Sequence, residues 1–338
     1  MNTNKMKIAF ILSNGVLVIS NGVRSQALTW KKGLEQLGHD VYLIDMWQKN
    51  DWSNFDILHF YGFSIYMRDF INGVSKINPN IVISPIIDPN YSTLRLKLYS
   101  YFGIKKLNLT NPYHGLRSIK SKVKIILVRS NFEKEYLVKG FGFKREVCEV
   151  VPLSFNIPTH EKSRKKESFC LHISLLTDER KNVKRLIQAA IKYKFKLILG
   201  GKLRNEKEVK LLNSWIGDNK NIEYRGYLSN EEMIGLYSAA KVFALPSTNE
   251  GVGIVALEAA AMNCDIVLTN LGGPKEYYNG MAKLIKPQSI DQIGRAIRYF
   301  LDGNSCQPEL GSHIRSNYCL QSVSKQLVNA YRLINNNP

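Results

Sequence analysis

The sequence predicts an α/β protein of two Rossmann-like, doubly wound domains facing across a cleft. Three observations predict it. Short apolar runs closed by Asn, Gly or Pro alternate with stretches of helical spacing along the chain. That alternation breaks once, at the polar, basic and proline-bearing NIPTHEKSRKKES, and then starts again. At 338 residues the chain exceeds what one core usually serves.

The elements follow in order. KIAFILS is a buried strand ended by Asn and Gly, and SQALTWKKGLEQLGH is a helix that stops at Gly38. DVYLID, FDILHFYG, INPNIVISPII and VKIILVRS are the next strands. NFEKEYLVKGFG is a helix capped by Ser130 or Asn131, and CEVVPL closes the first half. In the second half FCLHISL, FKLILGG, NIEYRGY, KVFALPS and CDIVLTN are strands. NVKRLIQAAIKY, EVKLLNSWIGD, NEEMIGLYSAA and IVALEAAAM are helices between them, and SVSKQLVNAYRLINN is a last amphipathic helix. Strand–helix alternation implies parallel sheets with helices on both faces. The expected division is 1–157, a linker over 158–168, 169–318, and a final helix over 319–338 that crosses back to the first domain.

Composition narrows the function. The formal charge of +19 implies an anionic partner: nucleic acid, phosphorylated substrate or acidic membrane. The five cysteines are scattered without the spacing of a zinc or redox motif. No apolar run reaches the length of a membrane span, so any membrane contact is expected to be peripheral.

STNEGVGIVALEAAAMNCDIVLTNLGGPKE, residues 247–276, carries the chemistry. Gly251 and Gly253 sit where a strand ends and a helix begins. Free amide N–H groups and the positive end of the helix dipole make that turn an anion site. Glu250 precedes it and Glu258 lies within the helix. Carboxylates repel phosphates, so these two need other partners, and sugar hydroxyls fit because an ionised carboxylate only accepts. Helical spacing puts the two acids about 12 Å apart, enough for a diphosphate between two sugars. A helix cap at Glu250 and a solvated Glu258 are the plainer alternative.

S-x-x-E-G-x-G-x-x-x-L-E-A resembles the E-x7-E signature of glycosyltransferase family 4, whose fold is GT-B. KNVKRLIQAA and LILGG are similar to the family's lysine-bearing loop and following strand, NIEYRGYLSNEEMIGLYSAA to its base-binding segment, and TNLGGPKE to a glycine loop of the donor pocket. The first half resembles it more loosely, at Asn21-Gly22, GLEQLGHDVYLID, FDILHFYG and NFEKEYLVKGFG. The resemblance implies a retaining, metal-independent transfer of a hexose from a nucleoside-diphosphate sugar, with no further cofactor; the absence of a D-x-D pair agrees. It implies that Glu250 contacts the donor hexose and Glu258 the ribose. Lys181, with Gly251, Val252 and Gly253, would hold the diphosphate. Arg225 lies in the base-binding segment, Gly273 in the donor-pocket loop, and Gly22 near the acceptor. Two positions depart from the family. Leu175 stands where an arginine is usual, with Arg180, Lys202 or Arg24 as substitutes. Asp88 stands near the place of a histidine, where an acid could orient an acceptor hydroxyl or take its proton, with His59 and His114 as alternatives.

Between Asp88 and Glu133 there is no acid, and basic residues interleave with aromatics over 91–124. That composition suits a helix in the headgroup region of an anionic bilayer. With the resemblance it implies an acceptor that is a glycan or an undecaprenyl-diphosphate-linked sugar. It also implies a cytoplasmic protein, peripheral on the inner face of the plasma membrane, making capsule or O-antigen polysaccharide. A specific nucleic-acid binder is the rival, yet the chain lacks zinc spacing, ribonucleoprotein aromatics and basic heptads. A dinucleotide oxidoreductase would want G-x-G-x-x-G after the first strand, and SNGVLVISNGVRS lacks that spacing. A relative that binds nucleotide sugar without turnover is the third alternative.

Overall fold

A computed structural model describes residues 5–12, 22–45, 48–87, 92–102, 111–158 and 165–336. The chain forms two compact units, 1–153 with 320–338 and 154–319. The boundary therefore falls at 153/154 rather than 157, and strand β7 (Glu167–Ile173) already begins inside the expected linker.

Both sheets are six-stranded and parallel, as the alternation predicts. The first has the order β2-β1-β3-β4-β5-β6, with β1 Lys7–Leu12, β2 Asp40–Leu43, β3 Ile57–Tyr61, β4 Ile81–Ser84, β5 Ile125–Val128 and β6 Cys148–Val150. IVIS and IILV are buried at every position, because helices cover both faces of such a sheet. The second sheet has the order β12-β11-β10-β7-β8-β9, with β8 Leu197–Gly200, β9 Ile222–Tyr224, β10 Ala240–Leu245, β11 Asp265–Thr269 and β12 Lys283–Ile285. Strand order reverses at the β7/β10 pair. Ligands of doubly wound sheets bind beyond the carboxyl ends of the strands at such a reversal.

The first helix, α1 (Gly22–Gln36), buries Trp30 and Leu34 and ends before Gly38, whose φ of +88° suits a residue without Cβ. Sequence periodicity missed α2 (Ile65–Val74), capped by Ser64, and the short α4 (Pro112–Ser118), capped by Asn111. Helix α3 (Thr93–Tyr101) starts at Ser92, whose side chain accepts from the Arg95 amide. Ser130 caps α5 (Asn131–Tyr136), so the first of the two candidate caps is the one used; the chain then runs on as a π-helical turn to Phe141.

The last long helix (Leu320–Arg332) belongs to the first unit. A Cβ on Gly33 of α1 would lie 1.9 Å from Ser324 Oγ, so the two helices touch only because residue 33 is glycine. Tyr331 Oη lies 2.7 Å from His59 Nδ1, and Ser84 Oγ lies 2.8 Å from His59 Nε2. His59 is fully buried, and burial holds its pKa well below the usual value. It is a neutral fastener of the terminal helix. His114 likewise turns inward, with Nδ1 3.2 Å from the Ser100 carbonyl.

Candidate functional site

The site of the second unit is built where β7 and β10 diverge. Two segments leave their carboxyl ends: residues 174–182 after β7 and 246–253 after β10. Backbone and amide bonds stitch them together. Thr248 N–H donates to the Arg180 carbonyl at 2.8 Å. Asn182, in the left-handed region at φ 59°, donates from Nδ2 to the carbonyls of Pro246 at 3.0 Å and Pro287 at 2.6 Å. Asparagine tolerates that backbone, and its buried amide is satisfied on both sides. Lys181 sits between these two fastened residues.

The consequence is a close ion pair. Lys181 Nζ lies 2.6 Å from Glu250 Oε2, with side chains 21% and 13% exposed. Ser247 Oγ donates to the same oxygen at 3.2 Å. The acid that precedes the glycine turn is thus neutralised by the lysine expected at the diphosphate. Helix α9 (Ile254–Ala261) begins immediately afterwards with Gly253 at its start and no side-chain cap. Its first amides are orphan donors, and the dipole adds positive charge at the same end. Gly253 has φ +75°, and a Cβ there would come 2.6 Å from Leu245 Cδ2. Glycine is required by both backbone and space. Val252 is 3% exposed, so its side chain is buried. Gly272 at φ +78° would put a Cβ 2.8 Å from the Glu250 carbonyl, whereas Gly273 has φ −78° and opens a 3₁₀ turn over Pro274–Tyr278. Of the two glycines in TNLGGPKE, Gly272 is the one pressed against the site.

Glu258 is a different kind of acid. It is 8% exposed, and Tyr237 Oη donates to Oε2 at 3.2 Å. Burial pushes its pKa up to about 7, against the smaller opposing pull of the Tyr237 hydroxyl and the Asn156 amide. It is neither solvated nor a cap. Arg225 is half exposed and pairs with Glu223 at 2.5 Å, and its amide donates to the Leu199 carbonyl at 2.9 Å. Its side chain and N–H are both engaged, which leaves the neighbouring Gly226, open at φ +74°, as the free approach in that segment.

Sequence reading missed three residues here. His172, fully buried in β7, has Nδ1 2.7 Å from the Ala244 carbonyl and Nε2 2.7 Å from Ser174 Oγ. Burial lowers its pKa to about 4, so it is neutral. A carbonyl can only accept, so Nδ1 carries the proton and Ser174 donates to Nε2. The ring ties β7 to β10 beside Lys181. Asn182 was read only as the start of a helix. Tyr278 has a buried hydroxyl with no hydrogen-bond partner, within reach of the Glu250 charge. A histidine in an apolar run and a tyrosine after a glycine pair give no local signal of these roles.

Leu175 is 48% exposed, and the expected cation is missing from its place. Arg180 is held by Asp178 at 2.6 Å, and Lys202 is exposed. In the first unit, Gly22 opens α1, and a Cβ there would meet no described atom within 4 Å. Asp88 lies outside the described residues. The segment leading to it is firmly held: Glu133 accepts from the Ile87 amide at 2.7 Å, and buried Arg129 donates to the Ile87 carbonyl at 3.1 Å. No cluster of metal-ligating side chains occurs among the described residues.

Residues 155–317 match the family model described as Glycosyl transferases group 1. The second unit is a group 1 glycosyltransferase domain. The match agrees with the resemblance carried by Glu250, Glu258 and Lys181. O-antigen chain mannosyltransferase B of Escherichia coli is 24% identical over 242 residues, which are 65% of this chain and 63% of that protein. The serotype-specific mannosyltransferase WbdA of Escherichia coli is 24% identical over 156 residues, 44% of this chain and 19% of that one. The chain thus spans less than two thirds of the length of these curated relatives. Among solved structures, a glycosyltransferase from Rickettsia africae ESF-5 superposes with a TM-score of 0.75 at 18% identity, covering 99% of this chain and 100% of that one. The fold of the chain is GT-B, with a Rossmann-like sheet in each unit.

Proposed function

We propose that the protein is a retaining, metal-independent glycosyltransferase of family 4. It moves a hexose from a nucleoside-diphosphate sugar to a glycan or lipid-linked acceptor of a bacterial surface polysaccharide. One observation carries the reading: Lys181 meets Glu250 at the uncapped start of α9, beyond the strand reversal. A carboxylate, an ammonium and a set of amides then share one spot. The amides of 251–255 and Lys181 take the diphosphate, and Glu250 accepts from hexose hydroxyls. Glu258 takes the ribose hydroxyls. As the glycosidic bond breaks, negative charge grows on the leaving phosphate, where fixed donors stabilise it without reorganising. That phosphate accepts the proton of the acceptor hydroxyl as the new bond forms on the same face. The similarity to an O-antigen chain mannosyltransferase and a serotype-specific mannosyltransferase supports a surface-polysaccharide setting.

A thermal-shift screen against UDP-, GDP- and ADP-sugars tests this. One nucleotide sugar is expected to raise the melting temperature of the wild type and not of Lys181→Ala. Flat curves with the whole panel contradict the proposal. Leu175 favours a second reading, a binder without turnover, because one phosphate cation is missing. Donor stabilisation with neither transfer nor donor hydrolysis across a broad acceptor panel would select it.

The membrane part of the proposal rests on α3. Leu94, Leu98, Tyr101 and Phe102 lie at helical spacing and are all more than half exposed, beside Arg95 and Lys97. No helix among the described residues is long and apolar enough to cross a membrane, so contact would be peripheral. Lys105 and Lys106 fall outside the described residues. In flotation, the protein is expected to bind phosphatidylglycerol vesicles and not phosphatidylcholine ones. At about 1 kcal/mol per basic residue near the surface, charge reversal at Arg95 and Lys97 should weaken that binding by about tenfold or more. Equal binding to both lipids defeats the idea.

A further inference from the structure

The first unit holds a cavity of about 510 Å³ that the functional reading does not use. Three segments line it: Ser75 and Pro79, then 120–124, then Gly142, Phe143, Lys144 and Val147. They precede β4, β5 and β6 respectively. The cavity therefore sits at the amino edge of the sheet, whereas Gly22 comes after the carboxyl end of β1. It is a separate place, in a different unit from Lys181 and Glu250.

Its chemistry is one-sided. Lys120, Lys122, Lys124 and Lys144 line it, and no lining residue is acidic. Lys120, Lys122 and Lys144 are exposed, while Val123 and Phe143 are buried and form an apolar floor. Ser75 and Ser121 are also among the lining residues. Cations gathered in one concavity repel one another, focus positive potential and favour an anion that neutralises them. A single carboxylate is too small a counter-charge for several ammonium groups. A phosphoryl group carries more charge and more acceptor oxygens, and lysine binds it as a point charge. The volume fits a small organic ligand, and an extended nucleic acid would need a stripe rather than a cavity.

We propose that this cavity is a binding site for a multiply charged phosphoryl anion, with Lys120, Lys122 and Lys144 as its cationic wall and Val123 and Phe143 under its organic part. The proposal does not depend on the donor site. The anion is either a soluble phosphate compound or the headgroup of a phospholipid.

Site-resolved lysine acylation, read by mass spectrometry on the full chain, tests it with pyrophosphate as the probe. At about ten times its dissociation constant, pyrophosphate should lower labelling of Lys120, Lys122 and Lys144 by about tenfold through mass action. Lys207 and Lys220, exposed in the other unit, should be unaffected. Protection should persist in Lys181→Ala, which separates this site from the donor site. It should vanish at Lys120 in the double variant Lys122→Glu, Lys144→Glu, whose exposed positions do not threaten the fold. A second arm uses phosphatidic-acid vesicles with a variant carrying Arg95→Glu and Lys97→Glu. Protection there at lower total phosphate than pyrophosphate assigns a lipid headgroup, and protection by pyrophosphate alone assigns a soluble anion. Unchanged labelling in both arms overturns the site. So does equal protection by sodium chloride at matched ionic strength, or equal protection at Lys207 and Lys220.

Discussion

Replacing Glu250 by Gln should lower sugar transfer by about 10²–10³-fold, the usual cost of losing one preorganised electrostatic contact at a reacting centre. The fold should survive. Glutamine keeps an oxygen that can accept from the Ser247 hydroxyl, which donates to Glu250 at 3.2 Å, and from Lys181, which is 21% exposed. Lys181→Ala should lower transfer to a similar degree for a different reason. It removes the cation proposed to face the leaving phosphates, and it strands Glu250, 13% exposed, without its 2.6 Å partner. That second effect should cost about 1–2 kcal/mol of stability, between the values for exposed and fully buried pairs. The double variant should be little worse than either single one, because the two side chains act as a unit. Transfer assays on the three variants, with melting curves alongside, check this. If either single variant keeps more than about a tenth of wild-type transfer, the pair is a structural brace and not reaction machinery.

Glu258→Gln should stabilise the unliganded protein at pH 8 and do little at pH 5. The folded pKa of about 7 lies above the ordinary 4.5 because burial disfavours the charged form. A raised carboxyl pKa means that the folded state holds the proton more tightly than the unfolded chain. Its contribution is therefore fully present below pH 4.5 and is lost as pH rises through about 7. The gap between those two values corresponds to about 3 kcal/mol. Glutamine stays neutral throughout and still accepts from Tyr237, so its melting temperature at pH 8 should exceed that of the wild type by about 5 °C or more. The proposed ribose contact adds a second outcome. Ribose hydroxyls donating to the carboxylate would favour its charged form, so nucleotide binding should release protons near pH 7. Calorimetry in buffers of different ionisation enthalpy would detect that release in the wild type and not in Glu258→Gln. A variant that melts no higher at pH 8 removes the basis of the argument. A more stable variant that binds nucleotide poorly would mark a residue kept at a cost in stability.

The first sheet was easily read because its strands are continuous apolar runs. IVIS and IILV are buried on both faces and cannot be mistaken for loops. KLI, residues 283–285, is too short and too polar at its start to announce itself, and it becomes β12 only because β11 offers an edge to pair with. The α2 and α4 helices were missed although α2 buries Met67, Ile71 and Val74 at helical spacing; at ten and seven residues they are shorter than the windows in which that period stands out. Among the site residues, the glycine turn with its acids was legible, since backbone approach and positive φ demand glycine locally. The choice of Gly272 over Gly273 was not, because it depends on where the Glu250 carbonyl happens to lie.

The sequence by itself determined the alternating pattern, the two sheets, the glycine turn at the start of α9 and the presence of an acid on either side of it. These are local properties, written in the spacing of neighbouring residues. Only the tertiary structure decided that Lys181 reaches Glu250, 69 positions away, that Glu258 is buried against Tyr237, and that the final helix returns to His59 through Tyr331. Each of these contacts depends on the order of strands in a sheet or on which helix packs where. That order is fixed by burying all the apolar faces at once, and no short window of residues contains it.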